Sequence, residues 1–207
     1  MRKNSYIFIA LFLLLLLLAL LDVCSGSIWI SPLSTLNSQL STLHSQILLH
    51  LRLPKMLTAI LAGASLSVAG LMMQTLFRNP LAGPYILGVS SGASLGVALV
   101  TMVTTILPLA FSLSPHSLIA TSAIIGSMLT MLLVMLFARR IRSNVTLLIV
   151  GMMVGNIAGA LVNMIQNFAN PDSLKLFVVW TLGSLSGVSW EELPTLAIGI
   201  AIAASIG

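Results

Sequence analysis

Residues Leu51–Gly92, LRLPKMLTAILAGASLSVAGLMMQTLFRNPLAGPYILGVSSG, constrain this chain more than any other stretch. An apolar run with small residues at helical spacing leads into a basic turn holding two prolines. A second apolar run follows, with glycine at every fourth residue. Proline lacks an amide hydrogen and clashes with the preceding helical turn, so Pro80 and Pro84 forbid one continuous helix here. The pattern predicts two helices packed backbone to backbone and joined by a specified corner.

The charge content says where such helices sit. Only 6% of the chain is charged and 58% is hydrophobic, against roughly 25% charged in soluble domains. A soluble fold is excluded. Nearly uncharged windows of about 20 residues, enough to cross a bilayer core, fall near 6–21, 56–77, 85–107, 117–137 and 145–168. A sixth opens near Leu193 and is incomplete at Gly207. The expected fold is therefore all-α: a polytopic transmembrane helix bundle of five complete spans plus a truncated sixth, with residues 1–207 as the N-terminal part of a single membrane domain.

The first window could be a signal peptide, because Arg2 and Lys3 precede its apolar core. Its sixteen residues are long for that role, no small-x-small cleavage site follows, and Val23 is wrong for a lipoprotein site at Cys24. An uncleaved first helix is the better reading. With the N-terminus in the cytoplasm, Arg2, Lys3, Arg78, Arg139, Arg140 and Arg142 lie inside, as positively charged loops prefer. Arg52, Lys55, Lys175 and all four acids lie outside. The net charge of +5 is a topology signal. It does not point to nucleic acid, since no basic patch with interleaved aromatics exists.

Small residues recur at every fourth position in four successive helices. The stripes are Ala59–Gly63–Ser67, Gly88–Gly92–Gly96, Ser122–Gly126–Thr130 and Gly151–Gly155–Gly159. Lipid gives no hydrophobic drive between helices, so association depends on close backbone approach along such stripes. A compact bundle is expected. Between the second and third helices, Arg78, Asn79 and Pro80 form the expected cytoplasmic turn, with Asn79 suited to cap a helix. Residues 24–50 are expected to carry a short surface helix, and residues 169–192 another, packed at the outer rim.

The fifth helix carries Asn156, Asn163 and Asn167 on one arc, beside the glycine stripe. Uncharged polar groups at membrane depth face a bundle interior or a watery path. Two readings follow: Asn156 and Asn163 line a path for solute, or they bond neighbouring helices. No ionisable residue sits at the centre of a span, which argues against a proton-coupled carrier. His44, His50 and His116 read as solvated loop residues, and one cysteine excludes a cysteine metal cluster. No metal site or cofactor is expected. Nor is any catalytic set, and no lysine stands in a phosphate loop. If ATP drives transport, a separate polypeptide hydrolyses it.

LRLPK followed by LAGASLSVAGLMMQTLFRNPLAGPYILGVSSGASLG resembles the signature of FecCD-type permeases. These are the membrane subunits of ABC importers for iron–siderophores, haem and cobalamin. LLIVGMMVGNIAGALVNMI and FVVWTLGSLSGVSWEEL resemble the family's fifth helix and following outer segment. The resemblance implies ten helices in the full-length protein, in the inner membrane, as a homodimer or paired with a paralogous permease. It implies a cytoplasmic ATP-binding subunit and a periplasmic substrate-binding protein as partners. It makes Arg52 and Lys55 the basic residues that dock glutamates of the binding protein, and it favours Asn156 and Asn163 as lining of the translocation pathway. Two rivals stay open: a secondary transporter or channel that needs no ATPase, and an inactive truncated fragment.

Overall fold

The computed structural model describes residues 2–25, 45–106, 115–141, 143–185 and 187–206. Residues 26–44, which include His44 and most of the expected surface helix, lie outside the described residues, as does Arg142. Among the described residues there is helix and turn, and no strand. The helices are α1 (Arg2–Cys24), α2 (Leu53–Phe77), α3 (Val89–Ile106), α4 (Pro115–Ala138), α5 (Asn144–Asn167), α6 (Pro171–Leu182) and α7 (Leu193–Ile206). A π-helical segment, Ile47–Arg52, runs directly into α2.

Among the described residues, four helical stretches are long and apolar enough to cross a membrane: Ser5–Cys24, Ile47–Phe77, Ser117–Ala138 and Asn144–Asn167. The apolar part of α3 is shorter, Val89–Met102. The third window had been expected to begin at residue 85, but Tyr85–Leu87 are turn and Gly88 adopts φ +73°. Hydropathy counts apolar atoms and is blind to that left-handed residue, which delays α3 to Val89.

The chain divides into two compact units, Met1–Ser65 with Leu185–Gly207, and Leu66–Ser184. In the second unit α3 packs most extensively on α4, then on α5 and α6. One core cluster joins Phe77, Ala82, Leu87 and Val134, and another joins Val97, Ala98, Val162 and Phe177. In the first unit the leucine-rich face of α1 is exposed all round, with Leu11 to Leu18 each more than two-fifths accessible. A helix apolar on every side is a membrane span.

The short helix expected at the outer rim is found, as α6, but it folds back along α3. Its capping residue Asn170 accepts from the Ser173 amide at 2.9 Å. Ser173 is buried, and its hydroxyl donates to the Thr101 carbonyl at 3.1 Å. One turn on, Phe177 is buried among Val97, Ala98 and Val162. Trp180 and Thr181 then lie beside Ser90, Ala93 and Ser94. From Thr101 to Ser94 is about 10 Å at the helical rise, so α6 runs antiparallel to α3 for that depth. Ser173 and Phe177 are one turn apart and both take α3 as partner, so the short helix packs along α3.

Candidate functional site

Three local structures carry the chemistry that the sequence singled out. The first is the seam of α3 with α4 and α5. A Cβ built on Gly92 would lie 2.7 Å from the Gly126 carbonyl oxygen and would overlap the Thr130 hydroxyl. A Cβ on Gly96 would collide with the Ser122 carbonyl, and one on Gly126 with the Gly92 carbonyl. The Ser122 hydroxyl turns back to the Ile119 carbonyl (2.8 Å) and Thr130 to the Gly126 carbonyl (3.0 Å). Their polar atoms are thus satisfied within α4; at Gly96 and Gly126 backbone meets backbone, and at Gly92 the Thr130 side chain packs on the glycine.

Gly88 belongs to a different contact. It precedes α3 and faces α5, where its Cβ would stand 2.8 Å from the Gly155 Cα and 3.1 Å from the Gly151 carbonyl. Its φ of +73° independently favours glycine. Across from it, Gly151 faces Leu87 and Ile86, and Gly155 faces Gly88. The buried stripe of α5 then continues through Ala158 and Val162. Gly159 is off it, and a Cβ there would meet nothing within 4 Å. A spacing of four residues drifts round a 3.6-residue helix, so the third glycine rotates away while Ala158 stays on the face. Gly63 on α2 likewise has nothing within 4 Å of a built Cβ. A Cβ at Gly63 or at Gly159 would thus find room among the described residues.

Asn156 and Asn163 are both exposed. At about 100° per residue they centre some 120° round from the buried stripe of Gly151, Gly155, Ala158 and Val162. No neighbouring helix of the described chain covers them. Asn167 donates to the Asn163 carbonyl at 3.0 Å and stays within its own helix. Between α3 and α6 an open cavity of about 270 Å³ is lined by Ser90, Ala93, Ser94, Trp180 and Thr181.

The second structure is the turn after α2. Arg78 takes φ +48°, the left-handed conformation that ends many helices. The Arg78 amide donates to the Thr75 carbonyl (3.3 Å) and the Asn79 amide to the Gln74 carbonyl (3.1 Å), the paired bonds of a Schellman cap. Asn79 caps the turn itself, its side-chain oxygen accepting from the Leu81 amide at 2.9 Å. Pro80 follows where no helix can continue. Ala82 is buried under the turn, and Asn144 at the start of α5 donates to the Leu76 carbonyl at 2.9 Å. Asn144 was not foreseen, because an amide in a short loop carries no sign of which carbonyl it will find.

The third structure is the corner ahead of α2. Sequence alone puts a helix start at Pro54, yet the chain is already helical before it. Pro54 has no N–H for the carbonyls one turn back, and the ladder widens to π spacing, with the Leu53 amide donating to the Leu48 carbonyl. At that spacing the donor for the Leu49 carbonyl would be Pro54. Trp190 supplies it instead, its indole N–H donating to the Leu49 oxygen at 2.6 Å. Arg52 donates to the carbonyls of Val23 and Cys24, and Lys55 is exposed.

Known proteins place this arrangement. A family model described as the FecCD transport family matches residues 13–207. The chain belongs to the FecCD transport family. A vitamin B12 import system permease protein, BtuC, of Yersinia pseudotuberculosis is 38% identical over 193 residues, which is 92% of this chain and 55% of that protein. The BtuC of Vibrio cholerae is 38% identical over 204 residues, 97% of this chain and 58% of that protein. The chain thus spans little more than half the length of these relatives. A solved structure of an inward-facing conformation of a putative metal-chelate type ABC transporter superposes with a TM-score of 0.80. It is 30% identical and covers 98% of this chain and 61% of its own. The FecCD match takes in the seam, the turn and the corner together.

Proposed function

We propose that this chain is the membrane-spanning permease part of an ABC importer in the inner membrane, with ATP hydrolysed by a separate cytoplasmic subunit. The observation that carries the reading is 38% identity to vitamin B12 import permeases over 92% of the chain. The solute is a bulky metal chelate. Relatives named for vitamin B12 favour a corrinoid over an iron–siderophore or haem. In this reading the exposed face of α5 with Asn156 and Asn163 borders the path. Amides suit that task because they hydrogen-bond a polar solute in passing without holding it by charge.

The remaining assignments follow from the same reading. The N-terminus is cytoplasmic, the Arg78–Asn79–Pro80 turn is on the inner side, and the corner with Arg52 and Lys55 meets an acidic periplasmic binding protein. A second permease copy or a paralogue covers the face that this chain leaves open. Residues 1–207 act as one transmembrane domain. The chain itself catalyses nothing and holds no cofactor.

The test is uptake into proteoliposomes that hold the intact gene product, its ATP-binding subunit and its binding protein. Cyanocobalamin accumulation that requires ATP is the expected result, with a ferric siderophore and haem as competitors. Uptake that proceeds without ATP would establish a secondary transporter or channel instead. No uptake with any of the three solutes would leave an inactive fragment.

A further inference from the structure

Proline costs a helix one amide, and at the entry of α2 that vacancy is filled from outside the helix. The stretch Ile47–Arg52 is π-helical, and the Leu53 amide donates to the Leu48 carbonyl. At the same spacing the Leu49 carbonyl would accept from residue 54, and Pro54 has no N–H to give. The Trp190 indole donates to that carbonyl at 2.6 Å, from 141 residues further along the chain. Trp190 lies in the turn that opens α7. There the Glu192 amide donates to the Ser189 carbonyl (3.2 Å), the Leu196 amide to the Glu192 carbonyl (3.1 Å), and Leu193 is buried. A hydrogen bond thus joins the entry of α7 to the entry of α2.

We infer that Pro54 and Trp190 form a releasable latch: the proline keeps one carbonyl open, and the indole fastens the entry turn of α7 to it. The latch stands on this geometry and is independent of the solute and partners proposed above. Each half suits the task. Pro54 is fully buried, so the vacancy it makes is fixed in place. An indole has one N–H and no acceptor, so Trp190 has a single way to engage. Leu49 and Trp190 are both close to half exposed, at 51% and 44%. Water can therefore replace either partner, and the latch opens without stranding a buried polar group. Closed, it makes the two helix entries move together; open, it lets them part. Helices that rearrange need contacts of that kind, and π-helical turns recur at such places.

Amide hydrogen exchange on the intact gene product in nanodiscs, followed by mass spectrometry, tests the latch. Trp190→Phe keeps an aromatic ring and removes the N–H. It should speed exchange in residues 188–196 about fivefold, with α3 and α5 within about twofold of the parent. Pro54→Ala should do the same by another route. An alanine amide at position 54 gives the Leu49 carbonyl a backbone donor, or the turn reverts to α spacing and the Leu53 amide takes it. Either way the vacancy closes. The double variant should exchange no faster than the faster single one. The inference is overturned if Pro54→Ala leaves residues 188–196 protected while Trp190→Phe releases them, because the proline would then play no part. It is equally overturned if the two effects multiply or if neither variant alters exchange. A rise throughout α3 and α5 would also overturn it, since the bond would then be a global staple and not a latch.

Discussion

The two faces of α5 solve opposite problems with neighbouring residues. On one, Gly151 and Gly155 remove every side-chain atom so that Leu87 and Gly88 can rest on the backbone. On the other, Asn156 and Asn163 project polar groups that nothing in the described chain covers. The buried face gains by subtraction, since contact between backbones is what holds helices together in lipid. The open face carries atoms that lipid disfavours, which marks it for a partner or for solute. Two adjacent residues, Gly155 and Asn156, belong to the two different tasks.

Substitutions can break this contrast, and they rank by how rigid the opposing atoms are. The largest effect is expected at Gly96→Val. Its Cβ meets the Ser122 carbonyl, a backbone atom that cannot rotate away. Overpacking of this kind costs about 3 kcal/mol, to be read from equilibrium unfolding in mixed micelles. Gly88→Ala should lose about 2 kcal/mol, combining the left-handed penalty with the close Gly155 contact. A loss below about 0.5 kcal/mol there would mean that the seam relaxes easily, and the contrast would weaken. Gly159→Ala is the smallest and opposite case. Its Cβ meets nothing within 4 Å, so the better helix propensity of alanine should stabilise by roughly 0.5 kcal/mol. Destabilisation at Gly159 would reveal a packing partner outside this chain.

Much of the seam was legible in the sequence, because repeated small residues are the pattern that lets membrane backbones touch. Gly92 and Gly96 on α3 and Ser122, Gly126 and Thr130 on α4 needed only that rule. Gly159 did not follow it, because the buried face of α5 continues through Ala158 and Val162 instead. Gly88 was legible as a small residue but not as a left-handed one facing another helix. The folding back of α6 depends on Ser173 finding the Thr101 carbonyl, a contact 72 residues distant that leaves no local trace. Arg52 was legible as a cation, and its acceptors at the end of α1 were not. Pro54 was ambiguous for a stated reason: a proline fits both the first turn of a helix and a π-helical widening within one.

The central claim is that α5 keeps packing and passage on separate faces. The measurement that tests it most directly is the uptake rate of the Asn156→Leu, Asn163→Leu double variant in ATP-loaded proteoliposomes, with unfolding measured on the same preparation. The account predicts at least about a tenfold loss of uptake, with stability held within about 0.5 kcal/mol. Unchanged uptake together with a stability loss above about 1 kcal/mol would contradict it, because the two amides would then be joining helices.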